Sequence, residues 1–87
     1  MVLWDMTLVF TESAFCHGFT AEDINHVMTY PLVDRLMDKH VNKYLVLGFN
    51  PKGTLLEIMY NLVDTETANV FHVMRCRKGY YKYLPRR

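Results

Sequence analysis

With 87 residues the chain has room for one domain, because a protein this small buries only about 60 to 65% of its unfolded surface and rarely supports two cores. It is 51% hydrophobic and 14% aromatic, too apolar for a disordered chain, yet no apolar run approaches the ~18 to 20 residues that cross a bilayer. The formal charge of +1 hides a polarised molecule: Thr67 to Arg87 holds Arg75, Arg77, Lys78, Lys82, Arg86 and Arg87 and no acidic residue, so the excess of carboxylates lies in residues 1–66.

Val2, Trp4, Met6, Leu8 and Phe10 alternate along the opening stretch and predict a first strand between Val2 and Phe10. Thr11 to His17 reads as a short helix stopped by Gly18, the residue that most readily takes a left-handed conformation. Thr20, followed by Glu22 and Asp23, is a hydroxyl cap ahead of an acidic first turn. A helix is expected over Ala21 to Thr29, with Ile24, Val27 and Met28 on its core face. Pro31 ends it by pushing the preceding residue out of the helical region. From Leu32 to Met37 the pattern fits a resumed helix or an extended connection equally well.

Lys43 to Phe49 is rich in strand formers, Asn50-Pro51-Lys52-Gly53 is a turn, and Thr54 to Val63 resumes as a strand, which together predict a hairpin. A polar turn over Asp64 to Thr67 leads into a third strand, Asn69 to Arg75, carried by Val70, Phe71 and Val73. Gly79 then interrupts the basic tail, which forms either a short terminal helix or an irregular arm. The expected fold class is α/β in the α+β sense: a single domain over residues 1–87, with helices packed on a twisted antiparallel sheet of three to four strands.

Cys16 and Cys76 read as reduced, small apolar packing residues. Cys16 and His17 are neighbours and the other histidines are scattered, so the closely spaced pairs of a zinc site are missing, and neither metal nor cofactor is expected. Met1 to Asp5 lacks the basic and apolar regions of a secretory signal. A cytoplasmic protein with no membrane partner is the expectation.

Tyr80, Tyr81 and Tyr83 are interleaved with the cations of the tail. Cations neutralise phosphates and release their counterions, while tyrosine rings stack on unpaired bases, so RNA is the first partner this composition suggests. Cleaving RNA asks for a base at the 2′-hydroxyl, an acid at the leaving oxygen and positive charge around the phosphate. Glu57 stands within the otherwise apolar Leu55 to Met59, where a buried carboxylate needs compensation. A symmetric turn at Asp64 to Thr67 sets Glu57 across from the Met74 region, about one pair from His72 and close to Arg75. Imidazole titrates in the neutral range, which makes His72 a candidate acid or base; the plain alternative is a half-buried strand histidine. Arg75 and Arg77 complete the candidate catalytic set with His72 and Glu57, and Lys78, Tyr81, Lys82 and Tyr83 are the candidate RNA-binding residues. His17 reads as a helix-end residue facing free carbonyls. His26 and His40 read as solvent-facing.

The succession His17-Gly18-Phe19-Thr20-Ala21-Glu22-Asp23, Tyr30-Pro31-Leu32, Leu45-Val46-Leu47-Gly48, Gly53-Thr54-Leu55-Leu56-Glu57 and His72-Val73-Met74-Arg75-Cys76-Arg77-Lys78 resembles the BrnT-like toxins of bacterial toxin–antitoxin modules. The resemblance spans most of the chain. It implies a RelE-like small α/β fold, ribonuclease activity on RNA, including ribosome-bound mRNA, that slows translation, and neutralisation by a cognate antitoxin that also binds operator DNA. A toxin dimer within that complex is compatible with it. Arg77-Lys78 matches the family's terminal Arg-Lys. His72 stands where those toxins tend to have arginine, Arg75 replaces a small residue, and their late acidic residue has no counterpart after Lys78. The opening segment reads as a strand where the family leads to an early helix.

Two other function classes use the same residues. One is a non-catalytic interaction module whose basic C-terminal surface binds an acidic protein or nucleic acid. A DNA-binding regulator ranks below it, since no recognition-helix pattern with base-reading side chains is present.

Overall fold

The computed structural model describes residues 5–85. Val2 and Trp4 of the expected first strand, and Arg86 and Arg87 of the basic tail, lie outside the described residues. The alternating opening forms β1 over Thr7–Phe10, with Met6, Leu8 and Phe10 packed on the core. Glu12–Phe15 is one turn of 3-10 helix, and Gly18 closes the segment at φ +88, the left-handed conformation for which glycine is suited.

Helix α1 spans Ala21–Thr29, as its cap predicts. The Thr20 hydroxyl accepts from the Asp23 amide, and the Asp23 carboxylate accepts from the Thr20 amide, so two free N–H groups of the first turn are satisfied reciprocally. Next comes β2, Val33–Asp38, which settles the segment after Pro31 as extended. Its backbone groups are satisfied by pairing with β3, Lys43–Phe49. The hairpin follows through β4, Leu55–Leu62. At its turn Gly53 sits at φ +83 and the Asn50 side-chain oxygen accepts from the amides of Lys52 and Thr54. Strand β5 runs Thr67–Arg75, and the tail forms a second 3-10 helix, Lys78–Tyr83.

The sheet has five strands in the order β1-β5-β4-β3-β2, one more than the upper expectation. It is mixed rather than purely antiparallel, because β1 lies parallel to β5 while the other pairs are antiparallel. Alternating residues of the central strands supply two cores. On one face Ile24, Val27 and Met28 of α1 pack with Val46, Leu56, Ile58, Tyr60, Val70 and Val73. On the other, Leu45, Leu47, Met59 and Cys76 are closed by Tyr80, Tyr83 and Leu84 of the C-terminal segment. This double cover explains the unbroken apolar run of β3, and each fully buried Val, Leu or Ile contributes roughly 1.5–3 kcal/mol.

Gly48 fixes how closely α1 approaches the sheet: a Cβ there would lie 2.9 Å from Val27 Cγ1. Cys76 is buried as read from the sequence, but Cys16 is exposed. The short 3-10 turn buries only Ala14, leaving Cys16 beyond its single inward position. No helix among the described residues is long and apolar enough to cross a membrane.

Candidate active site

The β4–β5 ladder pairs Glu57 with Met74 and Met59 with His72, the register expected from the turn. Directly opposed residues share a face, so Glu57 and His72 project together onto the side covered by the C-terminal segment. Beyond His72 the register shifts, and Phe71 is the extra residue of a bulge, since Tyr60 pairs with Val70. The first 3-10 turn docks beside this bulge: the Thr11 amide donates to the Val70 carbonyl at 3.0 Å, and the Ser13 hydroxyl donates to the Phe71 carbonyl at 2.7 Å.

Glu57 is wholly buried and accepts hydrogen bonds on both oxygens. His72 Nε2 lies 2.8 Å from Oε2. The Arg77 backbone amide donates to Oε1 at 2.8 Å, Arg77 Nε lies 3.1 Å from each oxygen, and Arg77 Nη2 donates to Oε2 at 2.7 Å. Burial alone pushes the Glu57 carboxyl up. The Arg77 side-chain and backbone hydrogen bonds, the His72 hydrogen bond and the Arg77 charge outweigh it and hold Glu57 below its ordinary value. In return the carboxylate holds the Arg77 guanidinium charged. With Glu57 ionised, the His72 proton on Nε2 is fixed inward, and Nδ1 is the ring atom left to exchange a proton with an outside group. The His72 side chain is 24% exposed and that of Arg77 54%. Arg77 commits Nε and Nη2 to Glu57, which leaves Nη1 for an anion.

Other predicted residues are placed differently. Arg75 pairs with Leu56, so it projects from the α1 face and does not join Glu57. The expectation that it lies close to the carboxylate is corrected by strand alternation, which separates neighbours onto opposite faces. Arg77 takes that place because the ladder ends at Arg75 and the chain turns into the terminal 3-10 helix. Tyr83 is partly buried against the second core, with the Arg35 guanidinium 4.0 Å from its ring centre and Tyr80 stacked at 6.2 Å. Tyr80 also lies under the Arg77 guanidinium at 5.4 Å. Tyr81 is 47% exposed, and Lys78 and Lys82 are exposed beside it.

Two residues near this surface were not assigned to a candidate site from the sequence. Arg35 belongs to the segment whose conformation the pattern left open, so nothing in the sequence places it over Tyr83. His17, read as a helix-end residue, has its ring centre 6.2 Å from that of His72, edge-on at 77°. Its one sequence signal is that it opens the first motif of the family resemblance. Cys76, buried in the second core next to Arg77, has its thiol pushed up by burial and by the Glu57 charge, which makes it a packing residue rather than a nucleophile. Among the described residues no three His, Cys, Asp or Glu side chains gather in a metal-holding group.

The layout defines a small α+β domain with an imidazole–carboxylate–guanidinium cluster at one end of a five-stranded sheet. Among solved structures, the crystal structure of the Brucella abortus ribonuclease toxin BrnT is similar to it, with a TM-score of 0.61 over 84% of this chain and 99% of that one, at 13% identity. The chain has a BrnT-like toxin fold. No protein-family model and no curated protein matches the sequence.

Proposed function

We propose that the chain is the toxin of a type II toxin–antitoxin module, a metal-independent endoribonuclease that cleaves RNA and thereby inhibits translation. One observation carries this reading: the wholly buried Glu57 orients the accessible His72 imidazole while gripping Arg77, on a fold shared with a protein described as a ribonuclease toxin. His72 exchanges the proton at a reacting oxygen of the RNA through Nδ1. Arg77 Nη1 meets the phosphate oxygens as their charge grows. Glu57 touches no substrate and acts as a positioning residue for both.

Lys78 and Lys82 extend the positive surface along the RNA strand, and exposed Tyr81 offers a base-stacking face. Tyr83 shapes that surface from below, and Arg75 adds charge from the other face of the sheet. The partner is an acidic antitoxin that covers the same cations, in the cytoplasm, within a complex that accommodates a toxin dimer. Expression of the chain alone is expected to arrest growth and fragment cellular RNA, with His72→Ala and Arg77→Ala abolishing both. Growth arrest by these variants with RNA left whole would remove the nuclease reading.

The second reading, a non-catalytic module, draws on the exposed cations Lys78 and Lys82 in a stretch without acidic residues. It predicts tight capture of an acidic protein and intact RNA in the presence of the purified chain.

A further inference from the structure

We propose that His17 is a second catalytic residue, the base that takes the 2′-hydroxyl proton, with His72 as the acid at the leaving oxygen. This rests on the ribonuclease reading and gives it a mechanism. Transesterification of RNA moves two protons on opposite sides of one phosphorus, so a single imidazole leaves the reaction half served. The structure places a second one beside the first, with ring centres 6.2 Å apart and planes at 77°. One phosphodiester can reach both rings across that gap, because each ring nitrogen needs to come within only about 3 Å of its own oxygen.

The surroundings divide the roles. His72 is tied through Nε2 to the buried Glu57 at 2.8 Å, which fixes the ring and presents Nδ1 outward to the leaving oxygen. His17 is exposed and has no carboxylate partner among the described residues, so its ring is open to a substrate hydroxyl. His17 is also held in place rather than loose. It follows the 3-10 turn tied to β5 through Ser13 and Phe71 and precedes Gly18, whose amide donates to the Phe15 carbonyl at 3.1 Å.

In the reaction the 2′-hydroxyl proton passes to His17 as the 2′-oxygen bonds to phosphorus. The bond from phosphorus to the 5′-oxygen breaks, and that oxygen takes the Nδ1 proton of His72. The products are a 2′,3′-cyclic phosphate and a 5′-hydroxyl. Solvent then returns a proton to His72 and removes one from His17.

The test uses a short single-stranded oligonucleotide with one ribonucleotide at a position that the wild-type protein cuts, made with either oxygen or sulfur as the 5′ leaving atom. Sulfur departs as a thiolate and needs no acid. His17→Ala, and His17→Asn in parallel as a folding control, are expected to slow both substrates about 100-fold or more. His72→Ala is expected to be equally slow with oxygen but to recover to within about tenfold of wild type with sulfur. Wild-type cleavage with His17→Ala within about threefold of it would overturn the assignment of His17 and leave the nuclease reading standing. Rescue of the His17 variant instead of the His72 variant would overturn the division of roles. Wild-type protein that cuts no RNA would overturn the nuclease reading and this inference with it.

Discussion

Glu57 and Arg77 meet through three nitrogen donors of one residue, the backbone amide, Nε and Nη2, at 2.7 to 3.1 Å. The backbone donor makes this more than an ion pair: it pins the start of the terminal segment to the centre of the sheet. The same carboxylate then fixes the orientation of the His72 imidazole, 2.8 Å away. One carboxylate therefore ties the tail to the sheet and orients the imidazole.

Arg77→Ala leaves the buried carboxylate with only the residue-77 amide and His72, so it is expected to cost about 1–3 kcal/mol in urea unfolding at neutral pH. The value is set below that of a fully buried pair because half of the Arg77 side chain is already in water. Loss of less than about 0.5 kcal/mol would show that the pair does not hold the tail.

The pH dependence has a defined sign. Glu57 is held below its ordinary value in the folded protein, so its stabilising contribution is complete above the ordinary carboxylate range and drains away as pH falls through the folded value. Urea midpoints of the wild type between pH 7 and pH 3 should fall with pH in the acid limb. In Arg77→Ala, burial is opposed by fewer hydrogen bonds and no guanidinium, and the Glu57 part of that slope should flatten. An identical slope in both proteins would assign the acid sensitivity to other carboxylates.

Gly48→Ala tests how α1 is seated. The added Cβ at 2.9 Å from Val27 Cγ1 and 3.4 Å from the Tyr30 carbonyl forces the helix outward and is expected to cost about 1–3 kcal/mol. Pairing it with Val27→Ala should recover part of the loss, read as a coupling energy in a double-mutant cycle. Strict additivity would mean that the contact is relieved elsewhere.

Tyr81 and Tyr83 should separate cleanly. Tyr81→Ala removes an exposed ring and is expected to leave stability within about 0.5 kcal/mol while weakening single-stranded RNA binding by about 1–3 kcal/mol. Tyr83→Ala opens the second core beneath Arg35 and should lower stability by about 2 kcal/mol or more. Lys78→Ala and Lys82→Ala should weaken RNA binding without regard to sequence and reduce the salt slope by about one each, measured by titration at several salt concentrations.

The capped helix, the hairpin, the β4–β5 register and the company of Glu57 and His72 were all legible in the sequence, because each rests on local chemistry or on a turn that sets which residues oppose. Glu57 announced itself as a lone charge in an apolar strand. The remainder depends on contacts between distant segments. Pro31 removes the helical signal without stating what Leu32 to Met37 pairs with, so β2 emerges only once the edge of β3 is known. Arg75 and Arg77 look interchangeable along the chain, and only the end of the ladder decides which one returns to Glu57. His17 reaches His72 through a bulge at Phe71 and a hydroxyl bond from Ser13, neither of which leaves a periodic trace. Tyr83 and Tyr81 have the same composition around them, and only the three-residue repeat of the 3-10 helix, which puts Tyr83 on one face with Tyr80, decides which ring is covered.

Single-turnover cleavage of end-labelled single-stranded RNA by the purified chain bears most directly on the Glu57–His72–Arg77 cluster as the working site. Wild-type protein should cut to a 2′,3′-cyclic phosphate end in the presence of a chelator, Glu57→Gln should be slowed about tenfold or more, and His72→Ala about 100-fold or more. RNA that stays whole with the wild type, or that is cut equally fast by all three proteins, would contradict the account.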